Sequence, residues 1–466
     1  TGNEMLDGAT VQISGGRIAG VMRGIAPGAE VLEGTLAPGL VDVQVNGGGG
    51  ALFNDAPTID TLRTITAAHA QFGVTGLMAT LISDDRSSIL HALGAVEHGM
   101  RENMPGLIGL HLEGPWLSEP RRGVHPQRFL RGMDAEDMAL LTQKRSFPVM
   151  VTIAPEQATI EDVRALARAG VVVSIGHTAA DHADVEALLA AGATGFTHLF
   201  NAMPPLEGRK PGPVGVALAN ANTWAGLILA GIHVHPLSAR AAFAAKTAHK
   251  LMLVSDAMST VGATSPSMKL FGEQIEVRDG ALRTPSGTLA GAHLDLSQAT
   301  RNAVAMLGAS TEQALRMASL TPSEFLRIDQ HHGRLAPGAR ADMILVGPGL
   351  DVRKVWIGGD CALGGEDLTV TAVAEGRDAA KGDQEQAFEQ RLRPDKGKCF
   401  AIAGGRAHRR FGRPGLAQRQ QRPQQNCGKS GQCGFAASHG ASCWRHEWRA
   451  TAHTASKKAR PRGSDL

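Results

Sequence analysis

Hydrophobic runs alternate with amphipathic segments over most of the chain, and this alternation predicts the fold. Eight short apolar runs are interpreted as strands, at residues 40–45, 74–81, 107–112, 148–153, 171–175, 193–199, 226–234 and 251–254. Segments with helical periodicity lie between most of them, at residues 59–72, 86–101, 135–144, 159–169, 181–191 and 237–248. The runs are continuously apolar, as expected for parallel strands that are buried on both faces. The pattern predicts an α/β fold, a (β/α)8 TIM-like barrel over residues 38–329.

The ends of this region have a different pattern. Residues 11–14 alternate apolar and polar side chains, two glycines follow, and residues 17–21 return, which is typical of a β-hairpin. Further strand-like runs come after the barrel. We therefore expect a small β-sandwich domain that is built from residues 1–37 and 330–362.

Residues 266–289 are polar and strand-like, and they are interpreted as an insertion after the eighth strand. A doubly wound open sheet is the alternative to the barrel. It is disfavoured because no Gly-x-Gly-x-x-Gly turn opens a first helix.

The C-terminal part of the chain differs in composition from the rest. Residues 401–466 contain 13 Lys and Arg against 2 Asp and Glu, so their net charge is +11; the total of +3 leaves −8 for residues 1–400. Aliphatic periodicity is lost there, and residues 363–466 are predicted to be a disordered tail. Nucleic-acid binding by this basic tail is not the role we expect.

Cysteine usage and hydropathy indicate the compartment. None of the 5 cysteines precedes Cys361, so the body of the protein does not depend on disulfides, as expected in a reducing compartment. No apolar run reaches the roughly 18 residues of a membrane span. We expect a cytoplasmic protein.

Titratable and amide side chains follow the predicted strands at the end where barrel enzymes place their catalytic groups. They are Gln44, Asn46, His111, Glu113, His177, His198, His233, His235 and Asp256. A single histidine in such a place is more often structural than a ligand, but this many polar strand ends on one face predict a site.

Glu113, His177 and His198 form the first hypothesis, a metal site. Two imidazoles and one carboxylate leave a coordination position open, which is the pattern of catalytic rather than structural zinc. Asp256 is placed to act as the general base, although an N-cap role is the alternative for this residue.

Several motifs make a family resemblance specific. LAPGLVD at 36–42 and GRLAPGARAD at 333–342 resemble the amidohydrolase superfamily. Within it, the chain resembles the N-acetylglucosamine-6-phosphate deacetylases, through HLEGP at 111–115, GHT at 176–178, THLFNAM at 197–203, GIHV at 231–234 and SDA at 255–257.

The resemblance implies hydrolysis of N-acetylglucosamine 6-phosphate to glucosamine 6-phosphate and acetate by a homodimer. It implies Asp256 as the catalytic acid and base, and Glu113, His177 and His198 as ligands of one divalent metal ion per subunit. Zinc is the first choice, with Fe, Mn or Co as alternatives. It further implies substrate contacts by Val124, His125, Asn201, Ala202, Arg209, His233, Leu289, Ala290 and Gly291. In these roles Arg209 and His233 would bind the phosphate, and His125 would polarise the acetyl carbonyl.

Gln44 and Asn46 stand where many members of the superfamily have a His-x-His pair that holds a second metal. Amides are poor ligands beside imidazole, so we expect a single metal, which Gln44 reaches through water. The missing pair also disfavours a cyclic amidase. Two competing functions stay open: deacetylation of N-acetylgalactosamine 6-phosphate, and non-catalytic binding of a sugar phosphate.

Overall fold

The computed structural model of the chain describes residues 5–363 and 398–402. Its strands are β1 Ala9–Ser14, β2 Arg17–Arg23, β3 Glu30–Leu32, β4 Thr35–Pro38, β5 Leu40–Val45, β6 Gly47–Gly48, β7 Ala51–Leu52, β8 Val74–Ile82, β9 Gly106–Glu113, β10 Val149–Ile153, β11 Val172–Ile175, β12 Gly195–Phe196, β13 Trp224–Leu227, β14 Leu251–Leu253, β15 Ser267–Leu270, β16 Glu273–Arg278, β17 Ala281–Arg283, β18 Met343–Val346, β19 Val352–Ile357, β20 Asp360–Leu363 and β21 Lys398–Ile402. Its α-helices are α1 Ile59–Ala70, α2 Arg86–Arg101, α3 Ala135–Leu141, α4 Ile160–Arg168, α5 His182–Ala191, α6 Gly212–Ala219, α7 Pro236–Lys250, α8 Leu296–Asn302, α9 Thr311–Met317 and α10 Leu320–Phe325.

The strands β5 and β8 to β14 form one sheet in chain order, and every neighbouring pair among these eight described strands is parallel. The first and last strands approach each other, because Asp256 N donates to the Gln44 carbonyl at 3.0 Å and Asn46 N donates to the Ala257 carbonyl at 2.9 Å. These bonds nearly close the sheet. The predicted (β/α)8 barrel is confirmed, and the open-sheet alternative is wrong.

Two strands are shorter than their apolar runs. The run at 193–199 contains only β12, because His198 and Phe200 adopt positive φ angles of 30° and 78° that end the extended backbone. The run at 226–234 leaves the sheet after Leu227. Beyond the two strands most of the large apolar side chains of these runs are still buried, including Leu199, Ile228, Leu229 and Val234.

The chain segments before and after the barrel form two four-stranded sheets, in the orders β2-β1-β21-β3 and β20-β19-β18-β4. The predicted hairpin is present as β1 and β2. Buried side chains from both parts of the chain share one core, including Val11, Ile13, Leu335, Met343 and Trp356. Burial of such side chains is the main stabilising contribution to this core.

The insertion after the barrel is a three-stranded antiparallel sheet, β15-β16-β17. Its buried Met268, Ile275 and Leu282 pack with Ile82 and Met258 from the carboxyl ends of the barrel strands. This packing places the insertion over the end of the barrel where the predicted site lies.

The predicted disordered tail, residues 363–466, lies outside the described residues apart from Leu363 and β21. The sequence did not indicate β21, which pairs antiparallel with β1 and parallel with β3. None of the described helices is long and apolar enough to span a membrane.

Candidate active site

Three of the predicted site residues adopt the left-handed backbone conformation just beyond the barrel strands. The φ angles of His177, His198 and Asp256 are 49°, 30° and 50°. This conformation costs a non-glycine residue roughly 1–2 kcal/mol, and it persists where the surroundings impose it, often at functional sites. The backbone is therefore strained at the positions that carry the candidate chemistry.

Glu113, His177 and His198 come together as a buried triangle. The Nε2 atom of His198 lies 3.0 Å from Glu113 Oε1 and 3.0 Å from His177 Nε2. The Nε2 atom of His177 lies 3.4 Å from the same carboxylate oxygen. Three ligand atoms around a tetrahedral zinc ion would lie about 3.3 Å from one another, so the separations fit such an ion.

The protonation of His177 supports this fit. Its Nδ1 atom lies 2.8 Å from the Arg121 carbonyl, which can only accept a hydrogen bond, so the ring proton is on Nδ1. Nε2 then presents a lone pair towards Glu113. Lone pairs facing a carboxylate oxygen need a cation between them, and hydrogen-bonded imidazoles of this kind are typical of metal ligands.

The charge of Glu113 is stabilised in the same place. Burial acts to raise the pKa of its carboxyl group, but positive charge that faces it from the Nε2 side of His177 and His198, carried by ring protons when no ion is bound, outweighs burial and holds the pKa well below its usual range. Glu113 is therefore an anion in this site, as a metal ligand must be.

His125 also lies in this cluster, and its ligand atom is within 4.8 Å of those of Glu113 and His177. Its Nδ1 atom accepts from Ser83 N at 3.2 Å, which places the ring proton on Nε2. A protonated Nε2 is a hydrogen-bond donor rather than a ligand. Between His125 and His198, His198 is therefore the better third ligand.

Asp256 is held by amide donors. Its Oδ1 atom accepts from Asn46 Nδ2 at 2.7 Å and from Gln44 Nε2 at 3.2 Å, and Gln44 Nε2 also donates to Glu113 Oε1 at 3.0 Å. Burial and the charge of Glu113 raise the pKa of Asp256 to about 7. An amide nitrogen thus lies between the two carboxylates, and Oδ2 of Asp256 is left for a reacting molecule.

A cavity of about 380 Å³ opens beside these groups. Glu113, His177, His198 and Asp256 line it together with most of the predicted substrate residues, namely Val124, His125, Asn201, Ala202, His233, Leu289 and Gly291. Two predicted residues lie apart from its lining. Arg209 is exposed on the loop after β12, and Ala290 is fully buried beside the lining residues.

The remaining lining residues were not predicted as substrate contacts; they are Asn46, which the sequence related only to the metal, and Ile82, Pro120, Arg121, Gly123, Ile228, Met258 and Thr288. Most are apolar or lie in loops, and they carry no chemical signal. Arg121 contributes its backbone carbonyl to His177, and no side-chain pattern reports such a contact.

His111 and His235 differ from the cavity histidines. Both ring nitrogens of His111 are hydrogen-bonded to threonine hydroxyls, at 3.2 Å to Thr80 and 2.8 Å to Thr152, and burial lowers its pKa to about 4. His235 caps α7, where its Nδ1 atom accepts from Leu237 N. Both rings are occupied by contacts within the fold.

Comparison with known proteins agrees with the fold. The family model described as the amidohydrolase family matches residues 35–362. The chain is 40% identical to the N-acetylgalactosamine-6-phosphate deacetylase of Shewanella sp. (strain ANA-3), over 77% of this chain and 93% of the relative. It is 33% identical to the N-acetylglucosamine-6-phosphate deacetylase of Bacillus subtilis (strain 168), over 76% and 92% of the two chains.

A solved structure is similar over nearly its whole length. The N-acetylglucosamine-6-phosphate deacetylase from Pasteurella multocida aligns with a TM-score of 0.74 and 27% identity, over 77% of this chain and 96% of that chain. Since the family model spans the barrel and the strands on both sides of it, the chain belongs to the amidohydrolase family.

Proposed function

We propose that the protein hydrolyses the N-acetyl group of N-acetylglucosamine 6-phosphate and releases glucosamine 6-phosphate and acetate. The observation that carries this proposal is the Glu113–His177–His198 triangle beside Asp256 in one cavity. The names of the similar proteins support the same substrate class. A non-catalytic sugar-phosphate-binding protein would have no use for a strained general base beside a metal-binding cluster.

Glu113, His177 and His198 would hold one divalent ion, and zinc suits this nitrogen and oxygen ligand set. Such an ion polarises a carbonyl group and lowers the pKa of a water molecule. The amides of Gln44 and Asn46 donate hydrogen bonds where a second ion would need ligands, which favours a single metal.

The protein's own side chains carry the proton. Asp256 accepts a proton from the water that attacks the acetyl carbon, through the Oδ2 atom that Gln44 and Asn46 leave free. His125 donates its Nε2–H to the carbonyl oxygen as that oxygen gains negative charge. Asp256 then returns the proton to the sugar nitrogen as the carbon–nitrogen bond breaks, so acetate and the free amine leave.

The phosphate is assigned to His233, Arg209 and the loop at Asn201 and Ala202. His233 Nε2 lies 3.1 Å from the Gly291 carbonyl, so this nitrogen carries a proton, while its buried Nδ1 has no partner among the described residues. Burial lowers the pKa of His233, so a phosphate oxygen would become the partner of Nδ1 by drawing a second proton onto the ring. The guanidinium of Arg209 is exposed and free to reach an anion. The homodimer and the cytoplasmic location remain predictions from the sequence.

The experiment that tests the proposal combines metal analysis with acetate release. Purified protein should contain about one divalent ion per chain, and it should release acetate and primary amine in equal amounts. Removal of the ion by a chelator should abolish the reaction, and zinc should restore it. Acetate release that persists in metal-free protein would contradict the proposal.

N-acetylgalactosamine 6-phosphate is a second candidate substrate, because the relative from Shewanella sp. that is 40% identical carries that name. The two sugars differ only in the orientation of one hydroxyl group. Parallel measurement of kcat/KM for both epimers decides between them. A higher value for the galactosamine epimer would replace the first assignment and leave the chemistry unchanged.

A further inference from the structure

A chain of buried hydrogen bonds crosses the barrel interior just below the cluster of proposed ligands. It runs from Val45 N to Thr80 Oγ1 at 2.9 Å, on to His111 Nδ1 at 3.2 Å, and from His111 Nε2 to Thr152 Oγ1 at 2.8 Å. From Thr152 it continues to Thr197 Oγ1 at 2.8 Å and on to Ser174 Oγ at 2.7 Å. The side chains that take part in these hydrogen bonds are fully or almost fully buried. We call these residues the hydroxyl–imidazole chain.

This arrangement is unusual for the inside of a barrel, where bulky apolar side chains normally fill the layers. Buried hydroxyls are costly unless they are paired, so each bond in the chain fixes the position of both partners. Four of the five links join neighbouring strands, and the fifth, between Thr152 and Thr197, reaches from β10 past β11 to the end of β12. The members lie on β5, β8, β9, β10 and β11 and at the first residue after β12.

The strands that bear the proposed ligands each contribute a member. His111 precedes Glu113 by two residues on β9 and therefore points to the same side of the sheet. Thr197 directly precedes His198, and Ser174 on β11 lies three residues before His177. Thr152 is the joint between these parts, since it bonds His111 on one side and Thr197 on the other.

We propose that the hydroxyl–imidazole chain is a positioning device for the metal site, with Thr152 as the joint that sets the spacing between Glu113 and the two ligand histidines. Its members touch neither substrate nor metal and act through the three ligands. This inference rests on the metal site of the proposed function. It concerns the affinity of that site for an ion, which can be measured without any sugar.

The test uses a matched set of threonine variants. Thr152→Val keeps the shape of the side chain and removes the hydroxyl, whereas Thr152→Ser keeps the hydroxyl. Thr321→Val is the control. Thr321 is equally buried and donates at 2.6 Å to the Ala248 carbonyl on α7, and it does not belong to the hydroxyl–imidazole chain. Zinc affinity is measured by competition with a chromogenic chelator, and the stability of the metal-free proteins is measured by thermal unfolding.

Thr152→Val should weaken zinc binding by about 10-fold, the low end of the loss seen when a group bonded directly to a metal ligand is removed, because the Thr152 hydroxyl acts on the ligands through His111 and Thr197. At saturating zinc, kcat should fall while KM for the sugar phosphate stays close to its original value. Thr152→Ser should restore most of the zinc affinity. Thr321→Val should lower the unfolding temperature by a similar amount and leave zinc affinity unchanged.

The proposal is overturned if Thr152→Val and Thr321→Val bind zinc equally well, since the hydroxyl–imidazole chain would then contribute only to stability. It is also overturned if Thr152→Ser binds zinc as weakly as Thr152→Val. Should Thr152→Val fail to fold, Ser174→Ala removes the terminal hydroxyl instead and should weaken zinc binding to a smaller extent. If the original protein shows no deacetylase activity, the proposed function is rejected, but the zinc affinities of the variants can still be compared.

Discussion

The two sides of the cavity hold their carboxylates in opposite ways. On the side of β9, β11 and β12, two imidazole nitrogens converge on Glu113 at 3.0 and 3.4 Å. On the side where β5 meets the end of β14, amide N–H groups converge on Asp256 at 2.7 and 3.2 Å. The first side is built to surround a cation. The second side leaves a carboxylate free to exchange a proton.

Burial cannot explain this difference, because Glu113 is 2% exposed and Asp256 is 8% exposed. Burial raises both pKa values, but neighbouring imidazoles hold the pKa of Glu113 well below its usual range, whereas the charge of Glu113 helps raise that of Asp256 to about 7. The partners of each carboxylate therefore decide its role. Two nearby carboxyl groups whose pKa values are driven apart are the pattern expected of a ligand and a general base.

Replacement of Glu113 should have the largest effect. In Glu113→Ala the only proposed anionic ligand is lost, so we expect metal content to fall to background and acetate release to fall below detection. Elemental analysis and an acetate assay measure the two quantities. Glu119→Ala is the matched control, since Glu119 is exposed on the loop that follows the same strand. Retention of one tightly bound ion in Glu113→Ala would remove the distinction between the two sides.

Replacement of Asp256 should separate the two sides most clearly. Asp256→Asn keeps the shape of the side chain but cannot accept the proton, so we expect kcat to fall by about 10²–10⁴-fold. Metal content and KM should change little, because Asp256 lies on the side of the cavity that holds the proton-accepting carboxylate and not among the proposed metal ligands. Steady-state kinetics and elemental analysis on the same sample test this. A variant with near-normal kcat would show that another group accepts the proton.

Much of this contrast could be predicted from the sequence, because a barrel places its strand ends on one face. The continuously apolar run at 107–112 ends on Glu113, and similar runs end near His177 and Asp256. Once the eight strands are recognised, these side chains must share one face. The barrel was therefore predictable, and so was the placement of the candidate site.

The finer features depend on contacts that no local pattern reports. The carbonyl of Arg121 and the backbone N–H of Ser83 fix which ring nitrogen of His177 and of His125 carries the proton. Both are backbone groups, and any residue type could supply them. The same holds for β21, which pairs with strands more than 360 residues away along the chain.

Removal of one amide should have a moderate effect and sharpen the comparison. Asn46→Ala deletes the shorter hydrogen bond to Asp256 Oδ1, and a bond to a charged group contributes about 1.5–3 kcal/mol. We expect kcat to fall by about 10-fold or somewhat more, with unchanged metal content. Because this bond lowers the pKa of Asp256, its loss should move the acidic limb of the kcat profile to higher pH.

The outcome for Asn46→Ala has a clear alternative. If the variant loses its metal, the amides support the ligand cluster as well as Asp256, and the two sides act as one unit. Gln44→Ala is the useful companion variant, because Gln44 Nε2 contacts both Glu113 and Asp256. It should affect metal content and kcat together.

The smallest expected effect concerns Asp42, which lies on β5 below the proton-transfer side. Its carboxylate accepts from Gln44 N at 3.2 Å and from Ser255 N at 3.3 Å, and burial raises its pKa from 3.8 to about 7. Between those two values the folded protein binds more protons at Asp42 than the unfolded chain does. The contribution of Asp42 to stability therefore falls as pH rises through this window, by about 2 kcal/mol between pH 5 and pH 7.5.

Asp42→Asn tests this contribution, because an amide does not titrate. The variant is expected to be less stable at every pH, since it loses one of the two carboxyl oxygens that accept from backbone N–H groups. Its free energy of unfolding should nevertheless change less between pH 5 and pH 7.5 than that of the original metal-free protein, when both are measured by urea denaturation. Equal pH dependence in the two proteins would mean that Asp42 is ionised in the folded protein at pH 5. The backbone N–H groups where β5 meets the end of β14 would then stabilise a second carboxylate anion.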